Sequence, residues 1–164
     1  MPTEKTLDDL FLDTLKDIYY AEKKLLTTLP KMAKAAQDQK LAEGFLMHAE
    51  ETEVHVERLE DIFEMLGKPA RGKTCDAIIG IVEEGKSIME EFKGTIALDA
   101  GLVAAGQAAE HYEIARYGAL RTWAAQLGMN DAVKLLDQTL AEEKATDKKL
   151  TELAINQENV KAAA

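Results

Sequence analysis

Leu7, Phe11, Thr14, Ile18, Leu25, Leu29 and Met32 recur three and four residues apart, the rhythm of one face of an α-helix. The spacing predicts a first helix from about Thr6 to Gln37, with Thr6 as its N-cap, acids in its first turn and a kink at Pro30. A second stripe follows in Leu41, Phe45, His48, Thr52, His55, Leu59, Ile62 and Leu66, and Gly67 ends it. The stretch "GKPARGK" reads as a loop, and "DAIIGIVEEGKSIMEEF" as a shorter amphipathic helix over about Asp76–Phe92. A third long helix is expected from Ile96 to Leu127, stopped by Gly128. A fourth is expected after Asn130, taken as its N-cap, to about Ile155. The tail from about 156, "NQENVKAAA", has little to bury and is expected to fray.

No segment alternates with the period of a strand, so the pattern describes two helical hairpins. The connection between them approaches thirty residues and holds its own short helix. A link that long can cross the bundle and lay the second hairpin beside the first. The expected fold is all-α: a four-helix bundle with a long crossover containing a short fifth helix, as one domain over residues 1–164.

Composition agrees with this. Aromatics make up only 5% while Ala, Leu, Glu and Lys dominate, which favours helix over sheet. The one cysteine, Cys75, has no internal partner for a disulfide, and no apolar run approaches a membrane span. The expectation is a cytoplasmic protein with no membrane association. Twenty basic against 30 acidic residues leave a net charge of −10, a field that repels nucleic acid and anionic lipid and attracts cations.

Most of those acids read as a solvated surface; the ones on core stripes do not. On the fourth helix Glu143 and Asp147 interrupt a stripe of Leu136, Leu140, Leu150 and Ala154. On the second, Glu51 lies beside the stripe and four residues before His55, close enough around the helix to reach a common point. Glu22 sits between Ile18 and Leu25, and Glu110 and Glu113 lie within the face carrying Val103, Gly106, Ile114 and Tyr117. "AEETEVH" and "AEEKATD" repeat one phrase, supplying a core Glu to each hairpin. Buried carboxylates need protons, basic partners or a metal, and the stripes hold almost no Lys or Arg. A pair of divalent cations meets the need, and oxygen with imidazole suits iron or manganese. Blander readings stand beside this one. Glu22 and Glu113 also fit helix edges facing water, and Asp147 a surface pair with Lys144 or Lys148. His48 reads best as a satisfied core histidine, and the tyrosines as packing residues.

"YYAEKKL", "HAEETEVHVERL", "AAEHYEIARYG" and "LAEEKATDKKL" resemble the bacterial YciE/YciF-type ferritin-like stress protein family over nearly the whole chain. The resemblance implies a ferritin-like fold and a metal-binding, stress-associated cytoplasmic homodimer whose reaction is poorly defined. The Glu-x-x-His of the ferritin-like superfamily is absent, because Val54 and Thr146 occupy the expected histidine positions. The expected site therefore has Glu51 and Glu143 bridging two metals and Glu22 and Glu110 as terminal ligands. His55, Asp147 or Glu113 would complete the shell. One metal would then gain a nitrogen ligand while the other has mainly oxygen.

Such a centre suits a di-metal oxidase or peroxidase, acting on oxygen or peroxide with an unidentified electron donor. An iron-storage subunit would use the same ligands within a closed cage. A structural or interaction bundle would bind no metal and leave its acids protonated or exposed.

Overall fold

The computed structural model describes residues 3–164, and among them helices account for nearly all regular structure, with no strand. The long elements are α1 (Leu7–Ala35), α2 (Gln39–Met65), α4 (Leu98–Gln126) and α5 (Asn130–Leu153); α3 (Asp76–Glu91) lies in the crossover. At the start of α1 the Asp9 carboxylate accepts the Thr6 backbone N–H at 2.8 Å, satisfying a donor that the first turn leaves free. Asp38 caps α2, its Oδ1 accepting from the backbone of Lys40 and Leu41. Gly67 and Gly128 take φ of 63° and 73° just past the ends of α2 and α4, a left-handed turn that glycine adopts without a Cβ clash.

α1 packs along α2 and α4 along α5; α1 also meets α4, and α2 meets α5, closing the four-helix bundle. The crossover runs back over α1, where the Lys73 backbone N–H donates to the Lys16 carbonyl at 3.1 Å. It then enters α3, which packs on α4 and α1. Cys75 is buried and caps α3, its Sγ accepting from the Ile78 backbone at 3.4 Å. The core is a continuous apolar column including Phe11, Leu15, Ile18, Leu41, Phe45, Leu59, Ile62, Leu102 and Leu120, each at most 2% exposed. Removing such side chains from water supplies the main drive to fold, on the order of 1.5–3 kcal/mol each.

Pro30 lies inside α1, which runs on past it to Ala35. Two local expectations need correction. Asn130 is the first residue of α5, and Met129 holds the cap position without a side-chain bond. The tail is not a loose extension. A π-helical stretch, Ala154–Glu158, continues α5 and leads into a short α6 (Asn159–Ala162). Its Glu158 is buried, and Lys161 bonds Asp38 at 2.9 Å across the base of the bundle. At that base Asp99 on α4 accepts the backbone N–H groups of Gln37 and Asp38 at 2.9 and 2.7 Å, tying the α1–α2 turn to the second hairpin.

Candidate metal centre

Midway along the bundle the apolar column gives way to polar side chains. On α2, His48, Thr52 and His55 occupy the core face between Phe45 and Leu59. Glu22 on α1, Glu110 and Glu113 on α4, and Glu143 on α5 face them, and all are at most 1% exposed. They form two overlapping groups. Glu22, His55, Glu113 and Glu143 make one; His48, Glu110, Glu113 and Glu143 make the other; within each, one ligand atom per residue lies within 4.8 Å of all the rest. Atoms bound about 2.0–2.2 Å from a common first-row cation are at most about 4.4 Å apart, so groups spread over no more than 4.8 Å need draw in only slightly to form the shell of one ion. Glu113 and Glu143 belong to both groups.

The donor atoms lie close without making hydrogen bonds. His55 Nδ1 is 2.7 Å from Glu143 Oε1 and 3.4 Å from Glu22 Oε2, and His48 Nε2 is 2.5 Å from Glu110 Oε1. Yet both oxygens of Glu22, Glu113 and Glu143, Oε2 of Glu110, both nitrogens of His48 and Nδ1 of His55 lack a well-aligned hydrogen-bond partner among the described residues. Unsatisfied buried polar atoms are costly and rare, and so many converging on two points fit a pair of cations. Each histidine is held from behind. His55 Nε2 donates to Glu142 Oε2 at 2.8 Å, which turns Nδ1 inward; Arg58 fixes Glu142 through two hydrogen bonds of 2.7 and 3.0 Å. His48 turns Nδ1 toward Glu51 at 3.7 Å, and Glu51 accepts from Thr146 Oγ1 at 3.2 Å. A carboxylate behind a ligating imidazole fixes its orientation and raises its basicity.

Protons balance the buried charge. Burial opposes charging His55, but Glu143 and Glu22 outweigh it and lift the imidazole to about 10. Burial likewise opposes charging His48, and its partners Glu110 and Glu51 still raise it well above the ordinary value. Glu110 is pushed up to about 9 by burial and then by Glu143, and Glu113 rises for the same two reasons. Burial alone would favour neutral Glu143 most strongly; the close approach of Glu110 and His55 and the charge of both histidines prevail and hold it at about 2. In the metal-free cluster two imidazoliums thus flank the Glu143 carboxylate, and Glu110 and Glu113 hold protons beside it. A cation entering it would displace protons.

Of the residues singled out in the sequence, the structure gathers Glu22, His55, Glu110, Glu113 and Glu143. It does not gather Glu51 or Asp147. Glu51 is about one-third exposed and stands behind His48, and Asp147 accepts from Gln107 and His111 on the bundle's side. The cause is helix phase. One residue turns a helix by about 100°, so the core position on α2 is Thr52, not Glu51, and on α5 it is Thr146, not Asp147. The two hairpins match at one constant spacing that pairs Glu22 with Glu113, His48 with Thr139, Thr52 with Glu143 and His55 with Thr146. By that spacing Glu51 corresponds to Glu142, and both stand behind a histidine. "AEETEVH" and "AEEKATD" are therefore one residue out of structural register. Each group also contains one imidazole, where the sequence predicted one nitrogen-bearing and one all-oxygen position. His48 was legible as a residue of the core stripe and read there as a satisfied core histidine; the structure places it in the second group.

Fold and centre together define a ferritin-like helical bundle. The chain matches the family described as "Domain of unknown function (DUF892)" over residues 6–163. It is 46% identical to Protein YciF of Escherichia coli (strain K12) across 96% of both chains. The crystal structure of that E. coli stress protein superposes with a TM-score of 0.89 at 45% identity, covering 93% of this chain and 97% of the other. YcfI from Rhodopseudomonas palustris, named as a candidate structural protein, superposes at 0.88 with 44% identity over 92% of this chain and 96% of its own. The chain belongs to this family, that of the bacterial stress protein YciF. No helix among the described residues is long and apolar enough to cross a membrane.

Proposed function

We propose that the protein binds two divalent cations, iron or manganese, in a dinuclear carboxylate centre. Glu113 and Glu143 are shared by both ions; Glu22 and His55 complete one position, His48 and Glu110 the other. The observation that carries this reading is the convergence of unpartnered buried oxygens and nitrogens on two points with two glutamates in common. Nitrogen and oxygen donors in this mixture suit first-row ions of intermediate hardness. When bound, such a pair supplies one-electron redox chemistry toward oxygen or peroxide, in keeping with a relative named as a stress protein. The chain's own part is to keep the site dry, to hold His55 by Glu142 and His48 by Glu51, and to exchange protons at Glu110, Glu113 and both imidazoles for metal. On this reading the protein works in the cytoplasm as a homodimer with an external electron donor.

The test is metal analysis of protein purified without chelator, followed by anaerobic iron(II) titration and then oxygen or peroxide. Metal bound in the centre and oxidised there supports the reading; a chain that takes up none returns it to a structural role, which the name of the R. palustris relative favours. Iron storage would instead require a cage, and native mass in solution separates it from a dimer.

A further inference from the structure

Tyr117 on α4 is fully buried, and its hydroxyl has no hydrogen-bond partner among the described residues. A buried tyrosine nearly always finds one, because an unpaired hydroxyl forfeits the hydrogen bonds that water gave it. The ring stands edge-on to His55, with centroids 6.3 Å apart. Burial first, then the neighbouring Glu22 and Glu143, keep the phenol protonated, with Arg58 opposing them weakly. The ring thus packs against the imidazole of one metal group and carries a buried, unpartnered hydroxyl that can still donate a hydrogen bond.

We propose that Tyr117 is the positioning residue for a small oxygen-donor or anionic ligand entering the Glu22/His55 position of the centre. This rests on the dinuclear reading and goes beyond it by assigning the side on which an exogenous ligand is held. With cations present, the carboxylate lone pairs turn to the metals, and the free acceptor within reach of the phenol is the incoming ligand. The opposite side lacks this device: at the spacing that superposes the hairpins, Tyr117 corresponds to Leu26, which has no donor. The ligand site is one-sided although the metal groups are alike.

The experiment uses the full chain loaded with cobalt(II), whose visible bands report ligand binding, titrated with azide as the probe. Tyr117→Phe should keep the parent's cobalt stoichiometry while its azide dissociation constant rises about tenfold. In metal-free protein the same variant should melt at or above the parent's temperature, because the lost hydroxyl had no partner to strand. Equal azide affinity in parent and variant at full cobalt occupancy would overturn this assignment and leave the metal centre standing. A metal-free variant that melts several degrees lower would also overturn it, by showing that the hydroxyl serves the fold. Failure of the parent itself to take up cobalt would overturn both readings.

Discussion

The two hairpins match in burial at the positions that face the centre yet differ in what they bring to it. The first contributes Glu22 and both histidines; the second contributes Glu110, Glu113 and Glu143 and no nitrogen. Where α2 carries His48, Thr52 and His55, α5 carries Thr139, Glu143 and Thr146. The division follows charge. Three glutamates on one hairpin would repel each other if all ionised, and burial with that repulsion keeps Glu110 and Glu113 neutral in the metal-free chain. The imidazoliums of the other hairpin supply the compensation that lets Glu143 stay ionised. A repeated fold therefore need not repeat its chemistry: one arm carries the imidazoliums of the metal-free cluster, and the other carries the two glutamates that both proposed ions would share.

The largest expected effect comes from the shared pair. A Glu113→Gln, Glu143→Gln double variant should lose both ions, dropping bound metal from two per chain to near zero by elemental analysis. The single changes should part company in the metal-free protein. Glu113→Gln removes an acid that is already neutral and should leave thermal stability unchanged or slightly higher. Glu143→Gln strands two buried imidazoliums and should cost about 3 kcal/mol, roughly 6–12 °C in Tm. Equal melting temperatures for the two would break the comparison of the arms.

Next in size is the pH dependence of the metal-free chain. His55 rises from 6.5 to about 10 on folding, so the stability it lends is complete below pH 6.5 and lost as pH climbs through 10. Glu110 rises from 4.5 to about 9, so the folded chain holds a proton that the unfolded chain releases, and stability again falls as pH climbs across that window. Glu143 works the other way, held at about 2 against 4.5, and its contribution is lost as pH falls from 4.5 toward 2. Melting should be highest near the 4.5 at which both glutamates titrate in the unfolded chain and decline steadily toward pH 9. Bound metal should flatten that decline, because its loading releases protons measurable with an indicator dye. A metal-free melting temperature that rose from pH 6 to 9 would contradict the proton-filled cluster.

Smaller effects sharpen the picture within the first hairpin. His48→Ala and His55→Ala should each reduce metal from two per chain toward one, measured by stoichiometric titration. If only His55→Ala did so, the His48/Glu110 position would be wrong. Smaller again, Glu51→Gln and Glu142→Gln leave every donor in place but loosen an imidazole, and should weaken metal binding by about 10–100-fold in chelator competition.

Much of this was legible in the sequence. The 3-and-4 rhythm placed all five long or medium helices, because an apolar stripe can be read without knowing its partner. Five of the residues gathered at the centre, Glu22, His55, Glu110, Glu113 and Glu143, stood out as polar groups on such stripes. On α2 the stripe itself was right: it carries Thr52, which packs inside at 0% exposure, with Glu51 beside it. What failed was the inference from the two similar phrases, which drew Glu51 in as a ligand from one position off that stripe. The tail was misread for a different reason. The stretch that buries Glu158 is tied down through Lys161, which lies 3.8 Å from Glu158 and donates to Asp38, far away in sequence. Such docking has no local periodicity.

The central claim is a pair of ions that share Glu113 and Glu143. Manganese(II) titration of metal-free protein, followed by electron paramagnetic resonance, addresses it most directly, since ions joined by common carboxylates couple magnetically and isolated ions do not. The expected result is two manganese ions per chain with the spectrum of a coupled pair, and loss of that coupling in the double glutamine variant. Two uncoupled ions, or fewer than one bound per chain, would contradict the account.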